Sequence, residues 1–573
     1  MSSTLTTPPD ENEAPSLTAE AAPETREPVL IPVLGPRWAL SVKHLAATAA
    51  FCALFVFLNH LPLRGTDLWG HLGWGEWILE HKTLPTQDPL QPLAAGMKVV
   101  DLSWGAQVIF AAAERFGGPE ALVGLFTVVV WSTYVLIART CFLQTRHALF
   151  STIVTAAALG VGWSRIATIR PENFALLLFA GLLWLYVGRR VRRADSVLAD
   201  DTRGDWKLWL GVPAIFAAWA NLHGSFLCGL ALVGGFFAGR VVEVLWSERS
   251  VAAVFADREA RRLLYWCELA AAAVLINPYT IDAYVEVLRF SGNANLREVM
   301  EWAPLALTSV GGPEFACACL ATAALLKLSR KPWAASDLIL LTFFGLAAAL
   351  QLRMIGWFAA VWAVAIAPHA WDVVAAWFAR EKGEPAEAAL EGDDDEVPQL
   401  AEGHSFRYTL GCVGLIWIAF AFSSVSRPLL GGPPRAPEAV YGDSPLKLTA
   451  WLRANPPQGA VFNPQYWGDW LAVDGPPGMQ VFATTNIHLI PRMTWQDYGR
   501  VSSVTSGWDA TLARYNVQTI IVDKARQAGF IRALRGSGEW VPAYEDAQAQ
   551  VFRKKPKSEQ AKPEATAKPA VCH

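Results

Sequence analysis

Apolar runs close to membrane length recur about eleven times between residues 41 and 425, and Lys and Arg crowd every second connection between them. A helix rising about 1.5 Å per residue needs roughly 20 such residues to cross the hydrocarbon of a bilayer. The chain has 573 residues, of which 53% are hydrophobic, and a mean hydropathy of +0.27. The fold class that follows is a polytopic α-helical membrane protein with about eleven transmembrane helices and a C-terminal extracytoplasmic α/β domain. The spans are read as 41–61, 119–138, 148–164, 173–188, 207–221, 224–243, 263–277, 314–328, 335–351, 354–377 and 408–425.

Orientation follows from the basic connections. Arg139 and Arg146 follow the second span, and Arg189, Arg190, Arg192 and Arg193 the fourth. Arg249, Arg258, Arg261 and Arg262 follow the sixth, and Lys327, Arg330 and Lys331 the eighth. Short Lys/Arg-rich loops stay in the cytoplasm, so the N-terminus is expected inside and residues from 427 onward outside. Residues 1–38 read as a disordered cytoplasmic tail and 554–573 as a second disordered tail. The first span acts as an uncleaved signal-anchor, and the acidic run 391–396 as a solvated cytoplasmic loop. The expected location is the bacterial cytoplasmic (inner) membrane.

Composition narrows the function. A formal net charge of −3 favours no nucleic-acid partner. The eight cysteines follow neither a zinc spacing nor a disulfide framework. Many of the 26 tryptophans stand near span ends, where an interfacial belt puts them.

Residues 39–426 form the membrane domain in this reading, with a first outer loop over 62–118. That loop holds two amphipathic stretches, near 70–81 and 103–115, too short to span and expected to lie on the outer surface. Pro85, Pro89 and Pro92 break the chain between them. Beyond Arg427 the apolar runs shorten to strand length. The α/β domain, 427–553, has expected strands at 459–463, 479–484, 517–523, 540–545 and 548–553. Its expected helices are 444–454, N-capped by Ser444, then 508–515 and 526–535.

The connections opposite the basic ones carry a different set of side chains: Asp67, His71, Asp88, Asp101, Arg165, Arg170, Glu172, Asn221, His223, Glu298, Glu301 and Arg353. Asp67 follows the first span. It is suited to cap the next helix, or to take a proton from a hydroxyl if partly buried. His71 shares its helical face, and Asp88, before Pro89, reads as a turn residue. Arg170 and Glu172 open the fourth span, either as a local ion pair or with Arg170 gripping a lipid phosphate. Asn221 and His223 sit in a turn so tight that they must lie at outer-leaflet depth. Glu298 and Glu301 lie on adjacent faces of an outer loop. Arg353 stands between two apolar spans and needs an anionic partner, a carboxylate or a lipid pyrophosphate.

The layout from the first span to the outer C-terminal domain resembles bacterial GT-C-type membrane glycosyltransferases, RgtA/B/C/D-like. It is more distantly similar to oligosaccharyltransferase catalytic subunits and protein mannosyltransferases. The segments TDLWGHLGWGEWIL, LPTQDP, DLSWGAQ, RPENF, NLHGSF, INPY and EW carry the resemblance. It implies a GT-C-like fold, a polyprenyl-phosphate-linked sugar donor, and Asp67 as the catalytic acidic residue of the first outer loop. Arg170 or Arg353 would then bind the donor phosphate. His71, Asp101, Glu172, Asn221, His223, Glu298 and Glu301 complete the expected substrate-binding set. The segment YWGDWL (466–471) is faintly similar to the aromatic-acidic peptide-binding motif of oligosaccharyltransferases, in a different order. Asp67 is followed by Leu-Trp rather than by a second acid, which leaves a divalent metal (Mg or Mn) without a paired carboxylate at that point.

The expected activity is transfer of a hexosyl or pentosyl unit from a lipid-linked sugar donor, among membrane lipids, to an envelope acceptor. Two rivals accompany it. A transporter or flippase needs ionisable groups at mid-bilayer and inverted repeats. A non-catalytic envelope scaffold tolerates exchange of Asp67, Arg170 and Arg353.

Overall fold

The computed structural model describes residues 38–63, 67–196, 202, 204–382, 404–442 and 444–556. The two tails, apart from Trp38 and residues 554–556, and the acidic run 391–396 fall outside the described residues.

Every expected span coincides with a helix. A two-residue strand, β1 (Leu40–Ser41), leads into α1 (Val42–His60), α2 (Leu68–His81) and α3 (Trp104–Thr145). Then come α4 (Ala148–Ile166), α5 (Pro171–Ala194), α6 (Trp206–Leu222), α7 (Phe226–Glu248), α8 (Val251–Ala256) and α9 (Arg258–Val274). They are followed by α10 (Asp282–Ser291), α11 (Gly312–Leu328), α12 (Ala335–Leu350), α13 (Ile355–Lys382), β2 (His404–Ser405) and α14 (Phe406–Ala421). Among the described residues, six helices are long and apolar enough to cross a membrane: α1, α3, α4, α5, α7 and the helix ending near Glu381. The other expected spans fall on α6, α9, α11, α12 and α14, each 16 or 17 residues long.

The first outer loop departs from expectation in one respect. The stretch near 103–115 is continuous with the second span as α3, which bends at Gly117 and at Gly118 (φ 63°) ahead of Pro119. A glycine can take that positive φ without a Cβ clash. Neither stretch lies loose on a surface. Leu68, Trp69, Leu72, Trp74 and Ile78 of α2 are buried, as are Ala106, Gln107 and Phe110 of α3. Two glycines make the close packing of α2 feasible. A Cβ at Gly75 would meet the Gln107 backbone oxygen at 2.1 Å, and one at Gly70 would meet Asp469 Cγ at 2.9 Å.

The C-terminal region continues with α15 (Ser426–Leu429), α16 (Pro437–Val440) and α17 (Leu446–Ala454), then strands β3 (Ala460–Phe462) and β4 (Gln480–Val481) flanking α18 (Gly468–Asp474). Next are α19 (Arg492–Ser502), α20 (Trp508–Arg514), β5 (Val517–Asp523), α21 (Ala528–Ser537), β6 (Trp540–Glu545) and β7 (Ala549–Lys554). The sheet order is β4-β3-β5-β7-β6. β3 pairs in parallel with β4 and β5, while β7 runs antiparallel to β5 and β6. All five strands were legible from their apolar runs; α18 and α19 were not. Ser444 does not cap α17: the capping position is Pro445, with no side-chain cap bond.

This domain is bonded to the loops of the bundle. Gln91 Nε2 donates to the Phe482 carbonyl (2.8 Å) and its Oε1 accepts from Thr484 N–H (2.8 Å). Asn295 Nδ2 donates to the carbonyls of Ile487 and Ile490, both at 2.8 Å. The buried Arg435 guanidinium grips Glu120 of α3 at 2.7 Å. Buried polar groups satisfied this way hold two units in one register.

Candidate active site

A cavity of about 470 Å³ lies between the bundle loops and the C-terminal domain. Eight of the expected residues line it: Asp67, His71, Asp101, Arg170, Glu172, His223, Glu301 and Arg353.

Asp67 occupies the N-cap position of α2, yet makes no side-chain cap bond. Its carboxylate turns instead to Arg170, whose Nε stands 3.1 Å from both oxygens. Arg170 Nη1 reaches Glu301 at 2.6 Å. Glu301 is shared with Arg165 at 2.8 Å, and Arg165 also bonds Glu172 at 2.8 Å. Three carboxylates and two guanidiniums thus form one chain. Burial would raise the Glu301 carboxyl, but Arg170 and Arg165 outweigh it and hold it at about 2.

Arg353 is different. Its guanidinium lies over the Trp302 ring, 4.5 Å from the centroid. Among the described residues it has no carboxylate within ion-pair distance, although its charge is felt at Glu172. A cation resting on an aromatic face keeps its N–H fork free for an anion. Between the two expected phosphate-binding arginines, Arg170 is therefore engaged by two carboxylates and Arg353 by none.

On the other side of Asp67 the contacts are uncharged. Burial pushes the His71 imidazole down despite the nearby Asp67, so the ring is neutral at pH 7. Its Nδ1 lies 3.4 Å from Gln107 Nε2, which also donates to Asp101 Oδ1 at 3.0 Å. Burial pushes Asp101 up to about 7. A raised carboxyl binds its proton in the folded state first, so stability falls as pH climbs from the ordinary aspartate value through 7. Asp101→Asn is accordingly expected to raise stability at pH 8 by on the order of 1 kcal/mol, read as a higher thermal midpoint, and to change it little near pH 4. Thermal unfolding of the purified protein at the two pH values checks this; equal shifts at both would refute it.

The C-terminal domain contributes Gln465, Thr485, Asn486, Ile487, His488 and Leu489 to the wall. Burial pushes His488 down to about 4, again a neutral ring. Behind them Asp469 of α18, fully buried, bonds Thr485 and is pushed well above the ordinary carboxylate range by that burial. Asp469 belongs to the YWGDWL segment and packs on α2 at Gly70 rather than lining the cavity.

The remaining expected residues do other work. Asn221 is a joint: its Oδ1 accepts from Trp104 Nε1 (3.1 Å) and its Nδ2 donates to the Ile276 carbonyl (2.8 Å). Glu298 holds the C-terminal domain through Arg492 (2.5 Å) and Trp495 (2.9 Å). Asp88 is the turn residue expected, accepting from Leu90 N–H, and its second oxygen accepts from Asn486 at 3.1 Å. Arg165, Trp74 and Gln107 line the cavity without having been among the expected site residues. Arg165 stood in the polar set, but nothing in its local sequence separates it from an ordinary span end.

A divalent metal does not fit these residues. Among the described residues no three His, Cys, Asp or Glu side chains gather as a ligand set, and Asp67 is directed at a guanidinium.

No family model and no curated protein matches the chain. The cryo-EM structure of the mycobacterial arabinofuranosyltransferase AftD aligns with a TM-score of 0.47 at 15% identity, over 91% of this chain and 40% of that one. The crystal structure of the Archaeoglobus fulgidus oligosaccharyltransferase, tethered to an acceptor peptide, aligns with a TM-score of 0.50 at 12% identity, over 90% of this chain and 74% of that one. This second likeness covers the bundle and the C-terminal region together, and the chain has a GT-C-like fold.

Proposed function

We propose that the protein is a multi-pass glycosyltransferase of the bacterial cytoplasmic membrane, moving a sugar from a polyprenyl-phosphate-linked donor to an acceptor on the outer face. In this reading the helices at all eleven expected spans cross the membrane, the N-terminus is cytoplasmic, and the domain over 427–553 lies outside. One observation carries it: a single cavity at the end of the first span presents both an uncapped carboxylate, Asp67, and a guanidinium without a carboxylate partner, Arg353.

The chemistry needs little else. Asp67 accepts the proton of the acceptor hydroxyl as its oxygen attacks the anomeric carbon. The bond from that carbon to the phosphate oxygen breaks, and polyprenyl phosphate leaves with the electron pair, inverting the centre. Arg353 holds the phosphate through charge-assisted bonds, which strengthen as negative charge develops on the leaving oxygen. Arg170 orients Asp67, and Glu301 keeps Arg170 and Arg165 in place.

The test is a transfer assay in membranes, offering labelled polyprenyl-phosphate sugars to wild type and to Arg353→Ala. Wild type should transfer label. The variant should be slower by about 10- to 100-fold, the worth of one charged hydrogen-bond pair. A wild-type protein that moves label from no such donor, with extracted envelope present as acceptor, would sink the reading. Equal rates in the two proteins would remove Arg353 from it.

A further inference from the structure

The cavity has two chemically different halves. From Asp67 one chain of contacts runs through ions, Arg170 to Glu301 to Arg165 to Glu172, where the charge of Arg353 is felt. The other runs from His71 through Gln107 to Asp101 and holds no cation.

In this second half three residues each keep a buried polar atom with no hydrogen bond of good geometry to the protein: Asp101 Oδ2, Gln107 Oε1 and Trp74 Nε1, the indole lying on the side of Asp88. All three side chains are more than nine-tenths buried, and all three line the cavity. Native folds seldom leave such atoms unsatisfied, and three in one wall point to an absent ligand that supplies the bonds. The Gln107 orientation is not arbitrary. Its Nε2 must face the Asp101 carboxylate, so its oxygen is the atom left over. The other oxygen of Asp101 is already occupied by the Ser103 N–H and the Gln107 amide.

Gln107 Oε1 accepts, Trp74 Nε1 donates, and Asp101 Oδ2 does either because its carboxyl is pushed up to about 7; this set matches adjacent hydroxyl groups, each of which donates one bond and accepts others. Without a cation, this half has nothing for a phosphate or a terminal carboxylate. An indole in the wall adds apolar surface for a ring face.

We propose that Asp101, Gln107 and Trp74 form a glycosyl subsite on the side of Asp67 away from Arg353, so that the acceptor is itself a carbohydrate. That it serves the acceptor rests on the transferase reading above; that it binds a sugar unit does not. Asp67 then stands between donor phosphate and acceptor ring, where a hydroxyl of the bound unit reaches its carboxylate.

The test is saturation-transfer NMR on the full chain in lipid nanodiscs, with a panel of methyl hexosides and pentosides and a blocked tripeptide as the contrasting probe. At least one glycoside should bind wild type. Gln107→Met and Trp74→Phe, which each delete a polar group, should weaken it about five-fold or more. Binding is compared per folded protein, because Gln107→Met also gives up the bond to Asp101 and Trp74→Phe opens space around a buried side chain. No glycoside binding to wild type, unchanged binding in both variants, or binding of the tripeptide in place of glycosides would overturn the subsite. Failure of the transfer assay with glycoside binding intact would instead overturn the transferase reading and leave the subsite standing.

Discussion

Asp67→Asn is expected to lower transfer about 10³-fold while the protein stays folded. A positioned general base contributes roughly 10²–10⁴ in rate, and Asn has the same outline without the basicity. The fold should not notice the change, for two reasons visible at the site. α2 takes no cap bond from the Asp67 side chain, so none is lost. Arg170 keeps Glu301 at 2.6 Å, and the Asn oxygen can still accept from Nε. Initial transfer rates and thermal midpoints of the two proteins, measured together, separate chemistry from folding. A variant retaining more than about a tenth of the wild-type rate would remove Asp67 as the base.

Glu301→Gln is expected to behave in the opposite way, costing stability first and activity as a consequence. Glu301 is the shared anion of Arg165 and Arg170. Removing one partner of a buried ion pair costs about 3–5 kcal/mol, because the remaining charge is left uncompensated. Glu301 is partly exposed and Gln retains an acceptor, so about 2 kcal/mol is the expected loss. The sign with pH follows from a carboxyl held at about 2. Its stabilisation is complete above the ordinary glutamate value and disappears as pH falls toward 2. The gap in thermal midpoint between wild type and Glu301→Gln should therefore be full at pH 7 and narrow below about pH 4.5. A gap independent of pH would mean that Glu301 acts through packing, not charge. Transfer should fall as well, since Arg170 orients Asp67 only while Glu301 fixes Arg170.

Together the two variants distinguish a group that acts on substrate from one that holds the acting group. The cavity contains both kinds close together. Both line the cavity, but Asp67 has one guanidinium partner, whereas Glu301 is shared by two guanidiniums.

The positions of the long helices and all five strands of the C-terminal sheet were legible in the sequence. The expected span 173–188 became α5, Pro171–Ala194, and the run 517–523 became β5, Val517–Asp523. These are local signals: the length of an apolar run and its period depend on neighbours a few residues away. Helices without such a run escaped, α18 and α19 among them. The stretch 103–115 was expected apart from the second span, whereas the bend at Gly117 and Gly118 joins the two.

Much of the candidate site was also legible, as a list. Ionisable residues at span ends on one side of a membrane protein are few, and eight of the ten expected residues line one cavity. Their pairing was not legible. By residue type Asp67 suits a helix cap as well as a base, and only the approach of Arg170 from α5 shows that the carboxylate turns away from its own helix. Arg170 and Arg353 were equivalent in the sequence. Glu301, some 130 residues further on, occupies the first and leaves the second on Trp302.

The sequence alone thus determined which segments are apolar enough to span, where the sheet lies and which residue types gather at the outer span ends. The tertiary structure decided which carboxylate meets which guanidinium, that Asn221 and Glu298 are joints, and that Asp101, Gln107 and Trp74 share a wall. Helix and strand formation is governed by contacts close along the chain. An ion pair or a binding wall depends on separations of about 3 Å between groups far apart in sequence, and only the packed fold sets those.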